Sequence, residues 1–204
     1  MLYYLSKAWY ILRREGLKSL IKRAILFLDA ETSIPSLFIT PYVRILRKRL
    51  SSIDDALDFC FGDTLISKFI RPAQIREEIE ALLRLLKDAR PRVILEIGTA
   101  KGGTLFLWTF VASYNATIIS VDLPGGPFGG GYPVWRIPLY KSFTRGKQKI
   151  VLIRGDSHDS RTLNKIRKIL GGREVDFLFI DGDHTYEGVK KDFEMYSPLV
   201  RKGR

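Results

Sequence analysis

The stretch Val93-Ile-Leu-Glu-Ile-Gly-Thr-Ala-Lys-Gly-Gly-Thr104 decides the fold. It starts as an apolar run, reaches the carboxylate of Glu96, breaks at Gly98, and passes after Gly102 and Gly103 into a helical pattern. A parallel sheet builds ligand cradles from a strand, a glycine turn and a helix in that order. The glycine spacing is neither Gly-x-Gly-x-x-Gly nor a loop closing in Gly-Lys-Ser/Thr. It therefore speaks against a dinucleotide-dehydrogenase loop and a nucleotide-hydrolase phosphate loop.

The same rhythm continues downstream. Apolar segments at 92–97, 117–122, 149–154 and 175–181 read as strands, and 103–113, 160–170 and 186–197 as helices. Strands alternating with helices imply right-handed crossovers and a mostly parallel sheet. Upstream, Ile75, Ile79, Leu82, Leu83 and Leu86 share one face of a helix expected over 72–88, which Pro91 brings to an end. Three zones result: a basic helical appendage at 1–50, a helical connector at 51–90, and a Rossmann-like α/β domain at 91–204.

Composition limits the alternatives. The chain has 204 residues, 46% of them hydrophobic, enough for one full domain and an appendage. Its single cysteine, Cys60, cannot form an intrachain disulfide, which favours a reducing compartment and a small buried side chain. No apolar run reaches the roughly 18 residues a membrane span needs. The apolar start at Trp9–Leu12 is cut by Arg13-Arg14 without a cleavage site, so no secretory signal is read there. A cytoplasmic protein, at most peripheral to a membrane, is expected.

The net charge of +12 is unevenly placed, because residues 1–50 hold ten lysines and arginines against three acidic residues. Leu2, Leu5, Trp9 and Leu12, and then Leu17, Leu20, Ile21, Ala24, Ile25 and Leu28, recur at helical spacing on either side of Glu15-Gly16. Two amphipathic helices with a break near Gly16 are expected. Their apolar faces can pack on the rest of the protein or on a second subunit, or lie on an anionic membrane surface. No nucleic-acid motif accompanies the charge, so nucleic acid is not an expected partner.

Ligands of an open parallel sheet bind beyond the carboxyl ends of its strands. Each strand delivers acidic groups to that edge: Glu96, Asp122, Asp156 with Ser157, and Asp181 with Asp183 and His184. Glu96-Ile-Gly-Thr-Ala-Lys-Gly-Gly-Thr104, Ser120-Val-Asp-Leu123, Gly155-Asp-Ser157 and Phe179-Ile-Asp-Gly-Asp-His-Thr-Tyr-Glu-Gly188 occur in sequence. In that order and spacing they resemble the class I S-adenosylmethionine-dependent methyltransferases. The nearest subfamily is that of cephalosporin-hydroxylase-like proteins and sugar O-methyltransferases. The resemblance covers about residues 72–204.

That resemblance implies a Rossmann-like sheet and S-adenosylmethionine as methyl donor. Gly98 would let the turn approach the ligand, and the N–H groups near Gly102, Gly103 and Thr104 would favour its carboxylate. Asp122, with Thr99 and Leu123 nearby, would accept the ribose hydroxyls; Asp156 and Ser157 would meet the adenine. Glu96 would orient the turn or the ligand's ammonium group. The family also implies a divalent metal such as Mg2+ on the catalytic carboxylate of Asp181, assisted by Asp183, and His184 is the candidate to remove the hydroxyl proton. His158 reads as a loop residue.

The glycine-rich loop at 123–136, with Phe128, Tyr132 and Trp135, is the candidate acceptor wall, and Arg136, Lys141, Arg145 and Lys147 suit an anionic acceptor or a solvated face. The expected reaction is methyl transfer to a hydroxyl of a sugar or another small molecule.

The pattern stops after the fourth strand and its helix, where family members continue, so a truncated sheet with an exposed edge is expected. A catalytically inactive domain that binds cofactor or a partner is the alternative, and a homo-oligomer is compatible with either. Nicotinamide-dependent oxidoreduction is a third reading, which the glycine spacing opposes.

Overall fold

The computed structural model describes residues 2–126 and 131–202, with side chains from residue 6 onward; Phe128 of the glycine-rich loop lies outside these residues. Helix α1 (Leu2–Glu31) is interrupted at Gly16, whose φ of 80° and ψ of 172° are non-helical, at the expected break. Then follow α2 (Ile34–Leu46), α3 (Ile53–Phe61), α4 (Leu65–Ile70) and α5 (Arg76–Ala89). The α/β part runs β1 (Val93–Ile97), α6 (Gly103–Val111), β2 (Thr117–Asp122), α7 (Ile137–Lys141), β3 (Lys149–Arg154), α8 (Ser160–Leu170), β4 (Phe177–Ile180) and α9 (Tyr186–Tyr196).

The described strands form one parallel sheet in the order β3-β2-β1-β4. Register puts Ile94 beside Ile118 and Phe177, and Leu95 beside Ile119 and Leu178. Side chains alternate between the faces of a strand, so these two rows enter different cores. Ile94, Ile118, Ile150, Phe177 and Phe179 meet α2–α7, whereas Leu95, Ile119, Val121 and Ile153 meet α8 and α9 through Ile166, Leu170 and Tyr196. The result is a three-layer α/β/α sandwich.

Helix α6 is apolar all round, and Leu105, Phe106, Leu107, Trp108 and Val111 are all buried between the sheet and the upstream helices. Trp108 meets Phe177 and Phe179 edge-on at 5.2 and 5.1 Å. Side chains of this size each contribute roughly 1.5–3 kcal/mol on burial. The upstream helices share this core through Ile39, Val43, Leu57, Phe69, Ile79 and Leu83. Cys60 is also buried there, and burial pushes its thiol pKa up.

Most boundaries fall close to expectation, but the starts of two elements are displaced. Helix α5 starts at Arg76 instead of 72, with Ile75 as an extended, exposed N-cap. The backbone at Ile70–Pro72 is pressed against Gly103, where a Cβ would collide with Ile70 O and Pro72 N, so this segment is already committed. Strand β4 starts at Phe177 instead of 175 because its approach is used otherwise. Val175 bridges to Val200, and the Asp176 carboxylate accepts from the N–H groups of Arg92 and Val93 at 2.6 and 2.9 Å.

Candidate active site

From β1 the chain crosses to β2 and β3 on one side, then returns to lay β4 on the other side of β1. Such a reversal opens a crevice at the carboxyl ends of β1 and β4. Gly98, which follows β1, has φ of 100°, and a Cβ there would stand 2.6 Å from the carbonyl carbon of Asp181. Only glycine combines that backbone with so close an approach. The N–H of Gly98 donates to Val121 O and that of Asp181 to Ile97 O, each at 2.8 Å, which ties three strand ends together.

The turn beyond Gly98 is gripped from two sides. Ala100 has φ of 44°, uncommon for a residue with a Cβ. Its N–H donates to Asp122 Oδ2 at 2.7 Å, and its carbonyl accepts from the Tyr140 hydroxyl at 2.9 Å. Gly102, with φ of 78°, leaves room for the Tyr140 ring, which a Cβ would meet at 2.7 Å. Tyr140 was not among the expected site residues. It lies on α7, 40 residues downstream, and no local pattern in the sequence announces the contact.

Glu96, Thr99 and Thr104 turn their side chains inward. The wholly buried Glu96 carboxylate accepts from Thr104 Oγ1 (2.6 Å), Trp108 Nε1 (2.8 Å) and Ser120 Oγ (2.5 Å). Thr99 Oγ1 pairs with Ser120 Oγ at 2.5 Å. Burial raises the Glu96 pKa to about 7 despite the three donors. Glu96 is thus the hydrogen-bonded hub that fixes β1, β2 and the start of α6 relative to one another. Thr99, Gly103 and Thr104 still bound the cleft, whereas Gly102 sits behind it as the N-cap of α6. The first N–H groups of a helix lack intrahelical acceptors and favour anions.

The cleft has two adjoining hollows. The first, with a cavity volume of about 160 Å3, brings together Gly98, Asp122, Leu123, Asp156, Ser157, Asp181, Asp183 and His184. The second is bounded by Asp29, residues 71–74, Thr99–Lys101, Tyr132 and Arg136. Gly98, Ala100 and Asp181 border both hollows. Burial raises the pKa of Asp122, opposed by hydrogen bonds from Ala100, Leu123 and Thr99 and by the charge of Arg154.

Burial also raises the pKa of Asp181, opposed by the nearby His184 and by Gln74, whose Nε2 donates to Asp181 Oδ2 at 2.5 Å. His184 itself is exposed at the rim. Asp156 Oδ1 accepts from the His158 N–H at 2.8 Å. His158 lines the first hollow, and its Nε2 stands 3.3 Å from the carboxylate of the buried Asp192.

The expected acceptor loop is built differently from a solvated lid. Tyr132 is buried against Tyr140. Arg136 is buried too, pairing with the fully buried Asp29 of α1 through Nη2 at 2.5 Å, while Trp135 Nε1 donates to Asp29 O at 2.9 Å. Arg145 stacks on Phe110 at 4.1 Å and donates to Leu50 O at 2.9 Å, so it too is spoken for. The N-terminal zone therefore reaches the cleft, through Asp29 and Ala30.

The residues do not make a complete metal centre. Asp183 Oδ1 accepts from the Thr185 N–H at 2.8 Å, which holds its pKa below the usual range, and Asp181 is bonded to Gln74. Among the described residues no group of three or more His, Cys, Asp or Glu side chains is arranged to hold a metal ion.

Comparison with solved structures finds similar chains. An O-methyltransferase from Bacillus cereus in complex with SAH matches at 20% identity and a TM-score of 0.49, over 81% of this chain and 69% of that one. The MycE methyltransferase of the mycinamycin biosynthetic pathway, in complex with Mg, SAH and mycinamycin VI, matches at 24% identity and a TM-score of 0.39, over 62% and 30%. CalS11, a calicheamicin methyltransferase, matches at 17% identity and a TM-score of 0.45, over 76% and 73%. A comparison with curated proteins finds no significant match. The sequence profile of the methyltransferase-domain family matches residues 95–203, from within β1 to past α9 and over half of the chain. The chain belongs to that family and carries a methyltransferase domain.

Proposed function

We propose that the first hollow holds S-adenosylmethionine, that the second holds a small-molecule acceptor, and that the methyl group passes to a hydroxyl oxygen of that acceptor, a sugar being the favoured class. The observation that carries this reading is the junction of the two hollows at Gly98, Ala100 and Asp181. A donor on one side and an acceptor on the other would meet beside a half-buried carboxylate. The second hollow presents Gln74, Lys101 and Asp181, a mixture of hydrogen-bond donors and acceptors suited to a polyhydroxylated ring.

When bound, the cofactor supplies a methyl carbon on a sulfonium, whose C–S electron pair returns to sulfur as the acceptor oxygen attacks. The chain supplies position and charge. The carboxylate of Asp122 would accept from the ribose hydroxyls and Asp156 from the adenine amino group, while the amino-acid end of the cofactor would extend to the first N–H groups of α6, at the edge of the second hollow. Asp181 receives the hydroxyl proton. Its raised pKa makes it a better base than an ordinary carboxylate, Gln74 fixes its orientation, and His184 at the rim passes the proton to water.

Methyl transfer from radiolabelled S-adenosylmethionine to a panel of sugars and small alcohols tests this reading. Labelled product is expected, with Asp181→Asn about 100-fold slower or worse and cofactor affinity little changed. Cofactor binding without transfer to any hydroxyl would support the inactive alternative.

A further inference from the structure

Helix α2 is apolar on two sides. Pro35, Ile39 and Val43 are buried in the core. On the opposite side Ile34, Leu37, Phe38, Tyr42 and Ile45 form a second stripe at helical spacing that stays exposed, with Leu37 66% and Phe38 75% accessible. Leu17, Ile21 and Leu28 of α1, which packs on α2, are exposed as well. Soluble monomers rarely leave a contiguous apolar surface of this kind uncovered.

The charge around this surface says what covers it. Of the three acidic residues among the first fifty, Asp29 is buried with Arg136 and Glu15 is paired with Arg23, so only Glu31 remains to oppose the cations. Arg13, Arg14 and Lys18 of α1 are exposed, as are Arg44, Lys48 and Arg49 at the end of α2 and just beyond it. Arg13 and Arg14 stand over the rings of the exposed Trp9 and Tyr10 at 5.0 and 5.3 Å. A symmetric contact with a second copy would set these cations against one another, whereas an anionic surface attracts them. No described helix is long and apolar enough to cross a membrane.

We propose that α1 and α2 seat this protein on the surface of an anionic phospholipid bilayer. The exposed stripe of α2 enters the interface, and the cations of both helices meet the headgroups. This inference does not depend on the methyl-transfer reading.

Flotation of the full chain with vesicles tests it. The chain is expected to float with vesicles of phosphatidylglycerol in phosphatidylcholine at low salt, at least about tenfold more strongly than with pure phosphatidylcholine, and to be released as salt rises. Leu37→Glu with Phe38→Glu should abolish flotation, and so should joint Arg13→Glu, Arg14→Glu and Lys18→Glu. All five positions are exposed, so the melting temperature and S-adenosylmethionine titration should stay as in the parent. Deleting residues 1–50 is the poorer test, because Ile39 and Val43 belong to the core.

Equal binding to uncharged vesicles would overturn the proposal, as would variants that float like the parent. A dimer by light scattering that dissociates on Leu37→Glu with Phe38→Glu, with no flotation of the parent, would assign the surface to a second copy instead.

Discussion

Glu96 stands under the Gly98 turn without lining the cleft, and ionising it carries a cost to the fold. A carboxyl whose folded pKa is about 7, against an ordinary 4.5, stabilises the fold fully below pH 4.5, and this contribution is lost as pH rises through 7. The difference amounts to about 3 kcal/mol. Glu96→Gln keeps acceptors for Thr104 and Trp108 and cannot ionise. Urea unfolding between pH 4.5 and 8 should show the parent losing about 3 kcal/mol relative to this variant; parallel profiles would refute the assignment. At the next turn, Gly98→Ala must hold φ near 100° and push the Asp181 backbone away. A loss on the order of 3 kcal/mol is expected, with weakened cofactor binding. A stable variant with parental affinity would show that this close approach is dispensable.

At the scale of elements, the joint between α1 and the cleft rests on one buried ion pair. Asp29 takes Ser36 Oγ on Oδ1 at 2.6 Å and Arg136 Nε on Oδ2 at 2.6 Å, and Arg136 Nη1 also donates to Phe69 O at 3.2 Å. Asp29→Leu leaves a buried guanidinium without its counter-charge and should cost about 3–5 kcal/mol. Adding Arg136→Met should restore most of that loss, since an apolar pair avoids the desolvation of both charges. Chemical denaturation of the two singles and the double measures the coupling, and additive losses would contradict it.

None of this joint was legible in the sequence, because Asp29 and Arg136 are 107 residues apart and each looks like an ordinary surface charge. The strands and helices of the α/β part were legible for the opposite reason. Their apolar periodicity is local, so β2, β3 and α8 fall at the expected residues. The starts of α5 and β4 were misplaced where Pro72 and Asp176 are committed to distant backbone.

For the whole molecule, two cores on either side of one parallel sheet bring four strand ends to a common edge. Asp122, Asp156 and Asp181 were readable as neighbours because each follows a strand, and parallel strands end together. Gln74 and Asp29, which line the cleft, and Tyr140, which grips the Ala100 turn behind it, were not, since they come from helices and loops whose docking depends on tertiary packing. Cofactor binding is the property on which the whole arrangement turns. Its most direct test is calorimetric titration of the 204-residue chain with S-adenosylmethionine, beside Asp122→Ala. Saturable one-site binding is predicted, weakened about 10–100-fold by the substitution, as the loss of hydrogen bonds to a carboxylate implies. A folded chain that fails to saturate at millimolar ligand, or one that binds equally well without Asp122, would contradict it.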